Sequence, residues 1–128
     1  MDVANFQTRK LLADNRSSIG IILMEVLRKM DLDRVALKPV STLLRGFGGS
    51  EVVPLGTIDL PTSLGEDWSK KTMMPKYLVA DEPFAYNMIL GRTSLNKFRV
   101  VVSTFHQKLK FATRGGIGVV RGDQIDVN

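Results

Sequence analysis

Asp14 follows the apolar run Leu11, Leu12 and Ala13 and precedes Asn15, Arg16, Ser17 and Ser18, after which apolar residues resume at Ile19. A carboxylate on a short polar turn, braced by a strand before it and a helix after it, is held firmly enough to act as an acid or a base. The same residues also suit an ordinary helix start, because Asp, Asn and Ser are the usual side chains there. Local sequence leaves both readings open. Other chemistries are narrower: there is no cysteine, so neither a disulfide framework nor a thiolate metal site can form. His106 is the only histidine, which removes the usual zinc sites, and it reads as a surface or hydrogen-bonded residue.

The elements that must position Asp14 follow from periodicity. Asn5 to Ala13 reads as a strand running into the core. Ile19, Ile22, Leu23, Val26, Leu27 and Met30 recur at spacings of three and four, with Glu25, Arg28 and Lys29 between them. This predicts an amphipathic helix of about three turns, capped by Ser17 or Ser18. Beyond Arg34 the prolines and glycines break any helical period, and short strands are expected. Leu43 and Leu44 lead into Gly46, Phe47, Gly48, Gly49 and Ser50, and Val52, Val53 and Leu55 lead out, which is the pattern of a hairpin spanning about residues 43–60. It is not a phosphate loop, since no Gly-Lys-Ser/Thr follows. An exposed Phe47 at its tip makes sense if the tip closes over something.

Thr62 to Lys71 reads as a polar loop carrying Trp68, and Thr72 to Ala80 as a strand whose first half Pro75 confines to an edge or a bulge. Met88 to Arg92 is a short apolar run ending in glycine, and a helical turn over Thr93 to Phe98 is expected to follow. Arg99 to Ser103 and Gln107 to Phe111 form a strand pair with alternating faces. Val119 to Arg121 is a last strand, and 122–128 a polar tail. No repeat or linker divides the 128 residues, so one mainly β domain with one or two short helices is expected.

Hydrophobic residues at 44% and charged residues at 24% are ordinary globular values. The net charge of +5 comes from pairs such as Arg9 with Lys10, Arg28 with Lys29 and Lys70 with Lys71. That pattern supports weak, nonspecific affinity for nucleic acid at most. Neither a secretory leader nor a run of eighteen apolar residues is present, so the expectation is an intracellular, cytoplasmic protein with no membrane partner.

Several segments, in order, carry a resemblance. The Asp14 loop is followed by a Leu-x-Gly-Phe-x-Gly stretch at Leu44 to Gly49 and by Pro-x-Gly-x-Ile-x-Leu-Pro at Pro54 to Pro61. Next come Ala-Tyr-Asn-x-Ile-Leu-Gly-Arg at Ala85 to Arg92, Ser-Thr-x-His at Ser103 to His106, Leu-Lys-Phe at Leu109 to Phe111 and Gly-Asp-Gln at Gly122 to Gln124. Over most of its length the sequence resembles the retropepsin-like aspartic protease domain of plant gypsy-class long-terminal-repeat retrotransposon polyproteins.

The resemblance implies a closed β-barrel that is half of a twofold aspartic protease, acting as an endopeptidase in polyprotein processing. Two carboxylates that cannot both ionise would activate a water and protonate the peptide carbonyl. One chain supplies one such aspartate, so the resemblance implies a homodimer with Asp14 contributed twice, taking an extended peptide or polyprotein as substrate. By the same resemblance, Gly46, Phe47, Gly48 and Gly49 form the flap, and Ile89, Leu90, Gly91 and Arg92 support the active-site loop. No metal or organic cofactor is implied.

Two departures stand against the pattern. Arg16 replaces the motif glycine and would place a long cation beside Asp14, stabilising the charged carboxylate and opposing the shared-proton state. Gly20 stands where the pattern carries an aspartate, with Ile19 in place of a smaller alanine. These imply impaired catalysis on a retained fold. The alternative is an inactive protease-like remnant, or a dimerisation or peptide-binding module. A small basic RNA or DNA binder is the third reading, and it requires steeply salt-dependent binding.

Overall fold

The computed structural model describes residues 2–4, 6–7, 10–14, 17–40, 44–45, 51–52, 54–65, 70–81, 86–103, 108–121 and 125–127. Asn15 and Arg16 of the loop, Gly46, Phe47, Gly48 and Gly49 of the hairpin tip, Trp68 and His106 lie outside the described residues.

Two strands come first, β1 (Asp2–Val3) and β2 (Phe6–Gln7), then β3 (Leu11–Ala13), β4 (Gly20–Leu23) and the helix α1 (Met24–Lys29). The middle of the chain forms β5 (Leu44–Arg45), β6 (Glu51–Val52), β7 (Gly56–Asp59), β8 (Thr62–Leu64), β9 (Lys71–Met73) and β10 (Lys76–Ala80). The last third forms β11 (Met88–Leu90), the helix α2 (Arg92–Phe98), β12 (Val100–Ser103), β13 (Lys108–Thr113), β14 (Gly116–Arg121) and β15 (Ile125–Val127). The protein is therefore mainly β with two short helices, as expected.

The organising layer is a mixed sheet of order β15-β3-β11-β4-β10-β7. Its middle strands are buried throughout: Leu11, Leu12 and Ala13 on β3, Ile21, Ile22 and Leu23 on β4, and Met88, Ile89 and Leu90 on β11. β3 and β11 run parallel, Leu12 opposite Ile89, while β11 and β4 run antiparallel, Ile89 opposite Ile21. Strands buried on both faces read as unbroken apolar runs, which is why these segments carry no alternation. A second sheet, β2-β1-β8-β9, and a meander, β12-β13-β14, pack around this layer, and Val3, Leu64, Leu109, Phe111 and Val120 join its core.

Several expectations are corrected. The single strand expected over Asn5 to Ala13 is two pieces, β2 and β3, and the backbone turns left-handed at Lys10 (φ 56°) just before β3. The three-turn helix from Ile19 is shorter: Gly20 to Leu23 is strand β4, and only Met24–Lys29 is helical. Neither Ser17 nor Ser18 caps it; Leu23 is the N-cap, with no side-chain cap. Thr62 to Lys71 is not all polar loop, since Thr62, Ser63 and Leu64 form a buried strand antiparallel to β9. The break at Pro75 separates β9, which lies at a sheet edge, from β10. The last hairpin strand begins at Gly116, and the polar tail carries β15, which pairs parallel with β3.

Candidate active site

The main chain around Asp14 is tied down from both sides. Its N–H donates to the carbonyl of Leu90 (2.9 Å), extending the β3–β11 ladder by one residue, and its own carbonyl accepts from the N–H of Ser17 (3.3 Å). The residue is buried, at 5% exposure. A carboxylate so little exposed, at the end of a central strand, is not an ordinary surface helix start.

The return of the loop is held as closely. The Ser17 hydroxyl donates to the carbonyl of Ile19 (2.8 Å), and the Ser17 carbonyl accepts from the N–H of Arg92 (2.6 Å). The Ser18 carbonyl accepts from both the hydroxyl (2.6 Å) and the N–H (3.3 Å) of Thr93. The first turn of α2 thus spends two of its otherwise unpartnered N–H groups on this loop. Arg92, whose side chain is exposed, serves here through its backbone.

Gly91, between β11 and α2, is where the two backbones come closest. A Cβ there would lie 2.4 Å from the carbonyl carbon of Ile19 and 2.8 Å from the nitrogen of Gly20, so only glycine fits without displacing the loop. The structure therefore brings Ser17, Ser18, Ile89, Leu90, Gly91 and Arg92 together around the backbone that carries Asp14.

Gly20 has a local reason of its own. It lies opposite Tyr77 in the β4–β10 register, and a Cβ on it would meet a Tyr77 ring carbon at 3.0 Å and the Ile89 carbonyl oxygen at 2.9 Å. The ring occupies the space that a side chain at position 20 would need. Tyr77 is fully buried, and its hydroxyl shares a 2.7 Å hydrogen bond with Thr62, whose hydroxyl also lies 3.2 Å from the Leu60 carbonyl. Burial pushes the Tyr77 phenol well above its ordinary value, and the Thr62 hydrogen bond pulls only partly against it. Sequence reasoning missed Tyr77 and Thr62. Their only signal is a tyrosine inside an apolar strand, and it means nothing until its partner across the sheet is known.

Asn87 adds a strap, donating its N–H to Lys10 (2.8 Å) and accepting from the N–H of Leu23 (3.3 Å). Of the hairpin expected over residues 43–60, β5 and β6 pair, with Leu44 opposite Val52 and Arg45 opposite Glu51, whereas Gly56–Asp59 leaves it as β7 and pairs with β10 in the main sheet. Among the described residues no group of three or more His, Cys, Asp or Glu side chains is placed to hold a metal ion, and no helix is long and apolar enough to cross a membrane.

No protein-family model matches the chain, and no curated protein sequence does. Solved structures do resemble it. The crystal structure of the retroviral protease-like domain of Ddi1 from Leishmania major superposes with a TM-score of 0.62 over 92% of this chain and 87% of that one, at 15% identity. The fold is retropepsin-like. Within this retropepsin-like fold, Asp14 stands at the junction of β3 with the loop that Gly91 and α2 brace.

Proposed function

We propose that the chain is an aspartic endopeptidase domain of a plant gypsy-class retrotransposon polyprotein, with a catalytic dyad made of Asp14 from two copies across a twofold axis. The observation that carries the reading is Asp14 itself, buried at the end of a central strand whose ladder reaches Leu90 and whose loop is locked by Gly91. A likeness in fold to a retroviral protease-like domain supports it. In this reading the sheets close into the barrel of one protease half, and the β5–β6 hairpin is the flap that folds over an extended peptide and excludes water. Each Asp14 then has its twin as nearest acid, one acting as base toward a bound water and the other as acid toward the peptide carbonyl.

Arg16 sets the level of activity. A guanidinium at the position of the motif glycine opposes the shared-proton state and crowds the approach of substrate, so the domain is an impaired protease. The competing reading is a protease-like module that dimerises or binds peptide without cleaving it. Gly20, the second departure, no longer argues for decay, because the Tyr77 ring fills its place.

The deciding experiment is cleavage of a mixed peptide library from about pH 4 to pH 7 by the natural chain, Arg16→Gly and Asp14→Asn. The expected result is weak or no cleavage by the natural chain, a gain of about 10²-fold or more in Arg16→Gly, and none in Asp14→Asn. Silence of all three folded proteins replaces this reading with the non-catalytic module.

A further inference from the structure

The basic charge of the chain is concentrated in one part of the fold. Residues 1–82 carry eleven Lys or Arg and eleven Asp or Glu, whereas residues 83–122 carry seven Lys or Arg and no acid at all. The net charge thus resides in the segment that forms α2 and the meander β12-β13-β14. The pairs that made the charge look dispersed, such as Arg28 with Lys29, belong to the balanced part.

The meander shows where these cations go. Leu109 and Phe111 on β13 and Val120 on β14 are buried, so the alternate residues form the outer face. On that face Lys108 is half-buried, Lys110 and Ala112 are exposed, and Arg114 is exposed on the turn that follows. Arg121 stands directly opposite Lys108 in the β13–β14 register. The turn is braced by a hydrogen bond from the Thr113 hydroxyl to the Gly116 carbonyl (2.7 Å), so Arg114 is presented on a constrained tip. Among the described residues, ion pairs join Lys38 to Asp59 and Lys70 to Asp2, and none engages Lys108, Lys110 or Arg114.

We infer that this outer face binds the phosphate backbone of single-stranded nucleic acid, weakly and without sequence preference. A strand rise of about 3.4 Å per residue sets Lys108 and Lys110 roughly 7 Å apart, close to the separation of neighbouring phosphates along one strand. A face with one sign of charge suits a polymer with one sign of charge. Protein surfaces interleave both signs, and protein interfaces are poor in lysine, so an acidic protein is the weaker match. The one aromatic residue between Lys108 and Arg121 is Phe111, which is buried, so no base-stacking platform lies there and binding rests on phosphates alone. This inference is independent of proteolysis.

The test uses the full chain and fluorescence anisotropy of a labelled mixed-sequence 20-mer, as RNA and as DNA, between 50 and 200 mM salt. With three or four phosphate contacts, affinity falls about 20- to 50-fold across that range, and RNA and DNA bind alike. Lys108→Gln with Lys110→Gln weakens binding about tenfold at low salt and flattens the logarithmic salt slope by about 1.4. Arg28→Gln with Lys29→Gln, the same charge change on exposed residues of α1, leaves both nearly unchanged. Equal losses in the two variants, binding indifferent to salt, or no binding at 50 mM salt overturns the inference. Competition by polyglutamate or by anionic vesicles as effective as that of unlabelled 20-mer overturns the choice of nucleic acid.

Discussion

At the scale of single residues, Tyr77 and Gly20 form one unit. The ring fills the space left by the glycine, and the phenol is buried against Thr62. Burial favours the neutral phenol, so its folded-state value lies above the ordinary 10.0 of the unfolded chain. The sign follows directly. The stability from keeping Tyr77 neutral is complete below about pH 10 and is lost as pH rises further, because the unfolded chain ionises first. Tyr77→Phe should cost about 1 kcal/mol at neutral pH through the lost hydrogen bond to Thr62. The same variant should flatten the decline in stability between about pH 10 and pH 11.5. Denaturant midpoints across that range check both, and parallel declines would remove Tyr77 as the source. Asp14, by contrast, was visible from the sequence as a carboxylate ending an apolar run; its burial and its tie to Leu90 were not.

At the scale of elements, the active-site strand depends on its neighbours. β3 has only three residues, lying between β11 and β15, and both pairings are parallel. Parallel pairs cannot be made by a tight turn, so each joins segments distant in sequence. Ending the chain after Gln124 removes β15 and exposes one edge of the strand that carries Asp14. The expected cost is about 2–3 kcal/mol, at about 1 kcal/mol per lost ladder hydrogen bond. Amide exchange at Leu11 to Ala13 should accelerate before that in the β13–β14 hairpin. Unchanged protection at those three amides would show that β15 does not hold the strand. Elements with local signals were legible: the alternation of β13 and the helical turn of α2 read correctly, while Met88 to Leu90 stood out as an apolar run whose strand character only its neighbours β3 and β4 reveal. β4 and α1 did not separate, because Ile19 to Met30 satisfies a helical period throughout, while burial on both faces makes Gly20 to Leu23 a strand.

At the scale of the whole molecule, one chain brings one Asp14 to the end of its central sheet, and the proposed chemistry needs two. Two copies related by a twofold axis give a quantitative expectation. When the Arg16→Gly chain is mixed with an equal amount of chain carrying both Arg16→Gly and Asp14→Asn, about one quarter of the dimers keep both carboxylates. Peptidase activity should then fall to about one quarter of that of the same total amount of Arg16→Gly. A fall to one half would mean that each chain works alone. By itself, the sequence determined which side chains are available for chemistry, that cysteine and zinc-type sites are excluded, and where glycine and proline break the chain into short strands. Those properties are local, set by composition and by neighbours a few residues away. The tertiary structure alone decided that Gly20 answers Tyr77, that the segment after Gln124 closes the edge of β3, and that Lys108 and Lys110 of the acid-free segment share the outer face of a sheet. The first two join residues far apart in sequence, and burial and pairing register across the sheets, rather than any local preference, decide all three.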